Sequence, residues 1–219
     1  MRTTRSTTST SSVPTATPTR RRRLGGLAVA LVAGAAITGG ALGATPASAQ
    51  GIGGIKGCAP TEIHVKAGQK LVTGTCGDDL IFVGNNNNVV VNSLGGNDDI
   101  RGGWGDGHLV TVNSGPGHDT ISVNPGKRLI ADGGTGNDVI TGGNLDDVIN
   151  GNDGNDELTG GNGGNILNGA AGNDILDSRD WGSQAFKADW VIGGTGWDLA
   201  NWQVGDAKEA DVEGGNAHA

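Results

Sequence analysis

The sequence predicts an all-β fold, a right-handed parallel β-roll or β-helix solenoid with a capped C-terminal end. Three observations lead there. Residues 133–177 divide without remainder into five nine-residue blocks, GGTGNDVIT, GGNLDDVIN, GNDGNDELT, GGNGGNILN and GAAGNDILD. Glycine makes up 43 of the 219 residues, yet it follows neither a collagen triplet nor a Gly/Ser linker pattern, so it serves backbone geometry. Phe and Tyr number two and none and the aliphatics are spread singly, which excludes a core several large side chains thick.

The chain begins with a segment that reads as a signal peptide over 1–49. TRRRR at 19–23 is followed by a mildly apolar run from Leu24 to Ala44 and by ASA at 47–49, which places cleavage after Ala49. An N-terminal membrane anchor is the alternative, because about 20 residues span a bilayer; six glycines in the run and the A-x-A ending favour cleavage. The leader holds six Arg and no acid, so Lys plus Arg falls from 15 to 9 against 23 Asp plus Glu, a net charge of 9 − 23 = −14. Such a chain disfavours nucleic acid and anionic lipid and favours cations. On these grounds cations are the expected partners, with no nucleic acid and no membrane insertion after cleavage. A short linker, 50–55, leads into a roll over 56–177.

From block to block Gly recurs at positions 1, 2 and 4 and Asp at 6, and position 8 is always aliphatic: Ile140, Ile149, Leu158, Leu167 and Leu176. One inward aliphatic in nine cannot make a helix face, which needs about three per two turns. It suits a three-residue strand joined to the next by a six-residue turn. Two blocks make an 18-residue coil, and coils stack as parallel strands about 4.8 Å apart. Asp138, Asp156 and Asp174 then form one column. Two carboxylates about 5 Å apart repel by about 3 kcal/mol at an effective dielectric of 20. A hard divalent ion relieves this, and twice a Ca–O distance of about 2.4 Å matches the coil spacing.

These blocks resemble the haemolysin-type calcium-binding nonapeptide of repeats-in-toxin (RTX) proteins, G-G-x-G-x-D-x-U-x, which GGTGNDVIT matches at every specified position. The resemblance implies a parallel β-roll in which Asp at position 6 and turn carbonyls hold Ca²⁺ between coils. Read backward in the same frame, position 8 falls on Ile63, Val72, Ile81, Val90, Ile100, Leu109, Ile121 and Ile130, and only TVN at 111–113 stands outside. Position 6 then sorts by edge. Alternate blocks give Asp79, Asp98, Asp119, Asp138, Asp156 and Asp174; the intervening ones give Lys70, Asn88, Gly107, Arg128, Asp147 and Asn165. A calcium column of up to five ions is expected on the first edge, with a weak site near Asp147 on the other. Lys70 and Arg128 would repel a cation.

Cys58 and Cys76 both fall at position 3, 18 residues apart. Stacking at about 4.8 Å lies inside the disulfide range of about 4.4–6.8 Å, so a bridge across the first coil is expected, with free or metal-binding thiols as the alternative. After Asp177 the frame is lost and then returns in GGTGWDLAN, 193–201, where Asp198 takes position 6. Trp181, Trp190, Trp197 and Trp202 gather in this region, read as an irregular coil and Trp-rich cap over 178–202. Residues 203–219 read as a polar tail. No zinc, acyl-transfer or reactive-thiol motif is present. The reading is a secreted, non-enzymatic, calcium-binding protein whose folding depends on the metal, because one aliphatic per block falls far short of the ordering entropy of nine residues. A glycan-binding adhesin using the Trp residues and a polysaccharide-active solenoid enzyme are the alternatives.

Overall fold

The computed structural model describes residues 58–85, 88–103, 108–181, 187–203, 205–208 and the backbone of 217–218. The expected leader, the linker, the start near Lys56, Gly107 and most of the tail lie outside these residues. Among the described residues there is no helix, and so none long and apolar enough to cross a membrane.

The chain alternates between two all-parallel sheets. One is built from β1 (Glu62–His64), β3 (Leu80–Gly84), β5 (Asp99–Gly102), β7 (Thr120–Ser122), β9 (Val139–Thr141), β11 (Glu157–Thr159), β13 (Ile175–Asp177), β15 (Leu199–Gln203) and β17 (Ala217–His218). The other holds β2 (Leu71–Thr73), β4 (Val89–Asn92), β6 (His108–Pro116), β8 (Lys127–Thr135), β10 (Val148–Asp153), β12 (Ile166–Ala171), β14 (Trp190–Thr195) and β16 (Ala207–Lys208). Successive strands of the chain fall in different sheets and every pairing skips one strand, which is the parallel β-roll the nine-residue period demands.

The core is a double file of aliphatics. Ile81, Ile100, Ile121, Ile140, Leu158, Leu176 and Ala200 stack in register down the first sheet, and Val72, Val91, Val112, Ala131, Ile149, Leu167 and Val191 down the second; all are buried. Three residues expected to point inward do not. Val90 and Ile130 face solvent and Leu109 is half-buried, while Val91, Val112 and Ala131 take the core positions. One residue is inserted before β4 and before β8 and three before β6, so in each coil the pleat is shifted by an odd number and the whole set changes face. TVN, outside the expected frame, is the centre of β6, and its Val112 belongs to the core.

Length variation is confined to one edge. From the second sheet to the first, the inward residues are nine apart in every coil: Val72 to Ile81, Val91 to Ile100, Val112 to Ile121, Ala131 to Ile140, Ile149 to Leu158, Leu167 to Leu176, Val191 to Ala200. From the first sheet back to the second the step is 10 from Ile81 to Val91, 12 from Ile100 to Val112, 10 from Ile121 to Ala131 and 15 from Leu176 to Val191. One edge tolerates insertions and the other accepts none.

The sheets do not stop at Asp177, where the roll was expected to end. β14 pairs with β12 and β15 with β13, so residues 190–203 continue the solenoid after a longer connection. Trp202 packs against the end of the core, as a cap should, while Trp181, Trp190 and Trp197 are exposed. Trp190 lies on the second sheet and Trp197 in an edge turn, so the four do not share one face. At the other end Cys58 and Cys76 form the expected disulfide, with Cα atoms 4.4 Å apart.

Candidate metal-binding edge

The edge that accepts no insertion carries the acids. Its turns repeat one backbone conformation: the second and fourth residues have positive φ in the pairs Leu94 and Gly96, Gly115 and Gly117, Gly134 and Gly136, Asn152 and Gly154, Ala170 and Gly172, Gly194 and Gly196. At the fourth position only glycine fits, because a Cβ on Gly136, Gly154, Gly172 or Gly196 would run into the carbonyl oxygen of its counterpart one coil earlier. Each of the six turns ends in a buried aspartate: Asp98, Asp119, Asp138, Asp156, Asp174 and Asp198.

These carboxylates form a ladder. Asp98 Oδ1 accepts the Asp79 N–H at 2.7 Å, Asp119 Oδ1 that of Asp98 at 2.7 Å, and Asp138 Oδ1 that of Asp119 at 2.8 Å. The pattern continues through Asp156 and Asp174, each at 2.8 Å, to Asp198 at 2.9 Å. A second, exposed ladder runs the opposite way through the preceding residue. The N–H of His118 donates to Asn97 Oδ1, Asn137 to His118 Nδ1, Asn155 to Asn137 Oδ1, Asn173 to Asn155 Oδ1 and Trp197 to Asn173 Oδ1, all at 2.7–2.9 Å. The two ladders clamp successive turns in register.

One oxygen of each carboxylate is left over. Oδ2 of Asp98, Asp119, Asp138, Asp156, Asp174 and Asp198 is buried and accepts no hydrogen bond. Leaving a buried carboxylate oxygen bare is costly, and the groups respond. Burial, with neighbouring carboxylates adding to it, raises Asp138 to about 7 and Asp98 and Asp174 to about 6, and burial likewise raises Asp119 and Asp156. The bare oxygens do not stand alone. A Cβ on Gly133 would collide with Asp138 Oδ2 and come within 2.8 Å of Gly151 O; one on Gly169 would meet Asp174 Oδ2 and Gly193 O in the same way. Glycine at the first position thus leaves room where a carboxylate oxygen and a carbonyl of the next coil converge, a donor set of hard oxygens that fits Ca²⁺. Among the described residues no three acidic, His or Cys side chains converge, so carbonyls have to supply the rest of a shell.

Two of the expected ligands are satisfied by the protein itself. Asp79 heads the ladder, but its Oδ1 accepts the Thr61 N–H at 2.9 Å, the Thr61 hydroxyl at 2.7 Å and the Thr75 hydroxyl at 3.0 Å, and its Oδ2 the Thr75 N–H at 2.5 Å. Asp147, on the opposite edge, accepts the Leu129 N–H on Oδ1 at 2.6 Å and the Gly143 N–H on Oδ2 at 2.7 Å. That opposite edge differs from the sequence expectation in its earlier coils. The place expected for Asn88, Gly107 and Arg128 is taken by buried Val89, Val110 and Leu129, for the same shifts of one, three and one residues. Arg128 points out and pairs with Asp146 at 3.8 Å. Farther along, the file becomes polar: Asp147, Asn165, then Asp189, which sequence reasoning missed because no glycine pattern precedes it.

No curated protein matches the chain significantly. A profile of the RTX calcium-binding nonapeptide repeat matches residues 130–144 and 141–176, in four copies. Those residues span β9 to β13 and three of the six turns with a bare carboxylate oxygen. Over 130–176 the chain carries RTX-type calcium-binding nonapeptide repeats, which form the central coils of its β-roll.

Proposed function

We propose that this protein is a secreted module whose roll closes around calcium, with Asp98, Asp119, Asp138, Asp156, Asp174 and Asp198 holding up to five ions between successive turns of one edge. The carrying observation is the conjunction on that edge alone of fixed turn length, a repeated positive-φ pair and a buried, unpartnered carboxylate oxygen. When bound, the ion supplies the positive charge that these oxygens lack. Asp79 and Asp147 stand outside the set, because each of their carboxylate oxygens already accepts a hydrogen bond. A strand with one buried aliphatic cannot offset the ordering of nine residues, so metal binding contributes folding energy, and extracellular sites of about 10⁻⁴–10⁻³ M suffice. The Cys58–Cys76 bridge suits an oxidising compartment.

The role that follows is structural or surface-binding rather than catalytic. The groove lined by Leu109, Arg128, Leu145, Asp146 and Lys187 is tied up in ion pairs, Asp146 taking Lys187 Nζ at 2.5 Å and Arg128 at 3.8 Å. Circular dichroism of the chain in EGTA, followed by calcium titration, tests the proposal. A cooperative gain of β signal with calcium is expected; a chain fully folded in chelator and unmoved by calcium would refute metal-dependent folding.

A further inference from the structure

The outer face of the second sheet carries almost no charge. The full chain has 23 acidic against 15 basic residues, and the outer face of the first sheet bears Glu62, Asp99, Arg101, Glu157 and Asp177. On the second sheet the outward residues form two files in register. One runs from Leu71 and Val90 through Ile130, Val148 and Ile166 to Trp190, with Thr111 its one polar member. Leu71, Val90, Ile130 and Trp190 are exposed and the others half-buried. Two residues farther along each strand lies a file of amides, Asn92, Asn113, Asn150 and Asn168. Asp132 is the single charge among them, and its Oδ1 accepts from Asn152 Nδ2.

The amides hold one another in place. Asn113 Nδ2 donates to Asn92 Oδ1 at 2.9 Å, Asn168 Nδ2 to Asn150 Oδ1 at 2.8 Å and Asn150 Nδ2 to Asn152 Oδ1 at 2.6 Å. Each rung takes one N–H and one lone pair from amides that carry two of each, so the file keeps donors and acceptors for a ligand.

Size and charge narrow the occupant. Six steps of about 4.8 Å make the face about 29 Å long, and two files two residues apart, with their side-chain margins, make it about 14 Å wide. That is on the order of 400 Å², about half the roughly 800 Å² a side that a stable protein interface buries, and one of its two files is amide. A second copy of this chain is therefore a poor occupant. So is an anionic polymer, because the chain's net charge is −8 and the one charge on the face is negative. A straight strip, apolar along one side and amide along the other, matches a polymer whose every unit repeats the same two chemistries. β-Linked pyranose chains do so. Their ring faces carry C–H bonds that pack on aliphatics and stack on Trp, their rims carry hydroxyls that both donate and accept, and one ring is about as long as the coil spacing.

We propose that the outer face of the second sheet binds a neutral β-linked polysaccharide along the solenoid axis, with Ile130, Val148, Ile166 and Trp190 under the sugar rings and Asn113, Asn150 and Asn168 on their hydroxyls. The site shares no residue with the acid column.

Depletion of the full-length chain from millimolar calcium by insoluble cellulose, chitin and β-1,3-glucan tests it. The variants are the pair Ile130→Thr and Ile166→Thr, the single Trp190→Ala and, as a control of the same chemistry on the first sheet, the pair Val139→Thr and Ile175→Thr. Thr111 already stands in the second-sheet file, so Thr is compatible with the fold, and circular dichroism checks each variant. The chain should bind at least one of the polymers. The second-sheet pair and Trp190→Ala should each weaken binding about tenfold, equivalent to about 1.4 kcal/mol, and the first-sheet pair should leave it unchanged. Binding to none of the polymers, undiminished binding by the second-sheet pair, or an equal loss in the first-sheet pair overturns the proposal. So does a concentration-dependent dimer in gel filtration that the second-sheet pair abolishes, which would put a second copy on this face. If the second-sheet pair does not fold, Trp190→Ala decides. Calcium-dependent dichroism of the same samples, without polymer, reads metal-dependent folding separately, so either proposal can fail without the other.

Discussion

Replacing Asp138 by Asn should change stability in opposite directions with and without calcium. Asp138 is fully buried; its Oδ1 accepts the Asp119 N–H at 2.8 Å and its Oδ2 has no partner. Burial first, then Asp119 and Asp156, raises its pKa from 3.8 to about 7. A shift of about 3 units at about 1.36 kcal/mol each means that ionised Asp138 costs the calcium-free fold up to about 4 kcal/mol above pH 7. Asn keeps the Oδ1 acceptor and removes the charge. Its Nδ2 has a precedent for a partner, since Asn165 Nδ2 donates to the carbonyl four residues back, Gly161 O, at 3.0 Å. In calcium the same change removes a ligand; losing an ion present at about 100 times its Kd costs about 2.7 kcal/mol. Urea midpoints followed by circular dichroism at pH 8, in EGTA and in millimolar calcium, read both effects, with trimethylamine N-oxide added to both where the calcium-free chain is otherwise unfolded. The midpoint should rise in EGTA and fall in calcium. A variant destabilised in both would show that the carboxylate acts only as a hydrogen-bond acceptor needing its charge, and one stabilised in both would show that no cation sits beside it.

The column also sets the pH dependence. Asp98, Asp119, Asp138, Asp156 and Asp174 all have folded pKa values raised above the unfolded 3.8, so the fold binds more protons than the unfolded chain. Stability in EGTA is therefore fully present below about pH 4 and lost as pH rises to about 7, which urea midpoints at pH 4.5 and 8 would show; in calcium, protons compete with the ion and the slope should reverse. Gly172 has φ +143° and a Cβ there would strike Gly154 O, so Gly172→Ala should cost more than about 2 kcal/mol. Ala170, at φ +76°, sits where other turns hold Gly, and Ala170→Gly should be neutral or stabilise by up to about 1 kcal/mol in the same denaturation assay. Reducing Cys58–Cys76, which closes 18 residues, should cost about 3 kcal/mol, read as a lower melting temperature in dithiothreitol and matched by the double Ser variant.

Much of the architecture was legible because its period is a backbone property. The Asp column could be drawn from spacing alone, since the turn before each Asp has a fixed length and only the far edge absorbs insertions. The errors came from that far edge. Around Val90, Leu109 and Ile130 the neighbours are VVV, HLVTV and RLIA, where residues of both phases are apolar, so hydrophobicity does not say on which side of the strand an extra residue falls. The state of each carboxylate was not legible at all. Whether Asp79 is satisfied depends on two threonine hydroxyls from adjacent coils, and Asp189 reaches the Asn165 N–H from a connection without repeat.

The far edge also argues for why the column needs charge. If position 6 only had to receive the N–H of its neighbour, an amide would serve. Asn165 does so, accepting from Asp147 with Oδ1 and spending its other end on Gly161 O, and so has no bare atom. All six turns of the acid-bearing edge instead carry Asp, which makes the same N–H contact and leaves a buried oxygen unpartnered, beside a carbonyl of the next coil at Asp138 and Asp174. In the calcium-free state that is the worse choice, by the margin estimated for Asp138. It becomes the better one only when something positive and oxygen-seeking enters the gap between coils, and the first-position glycines leave room for it there.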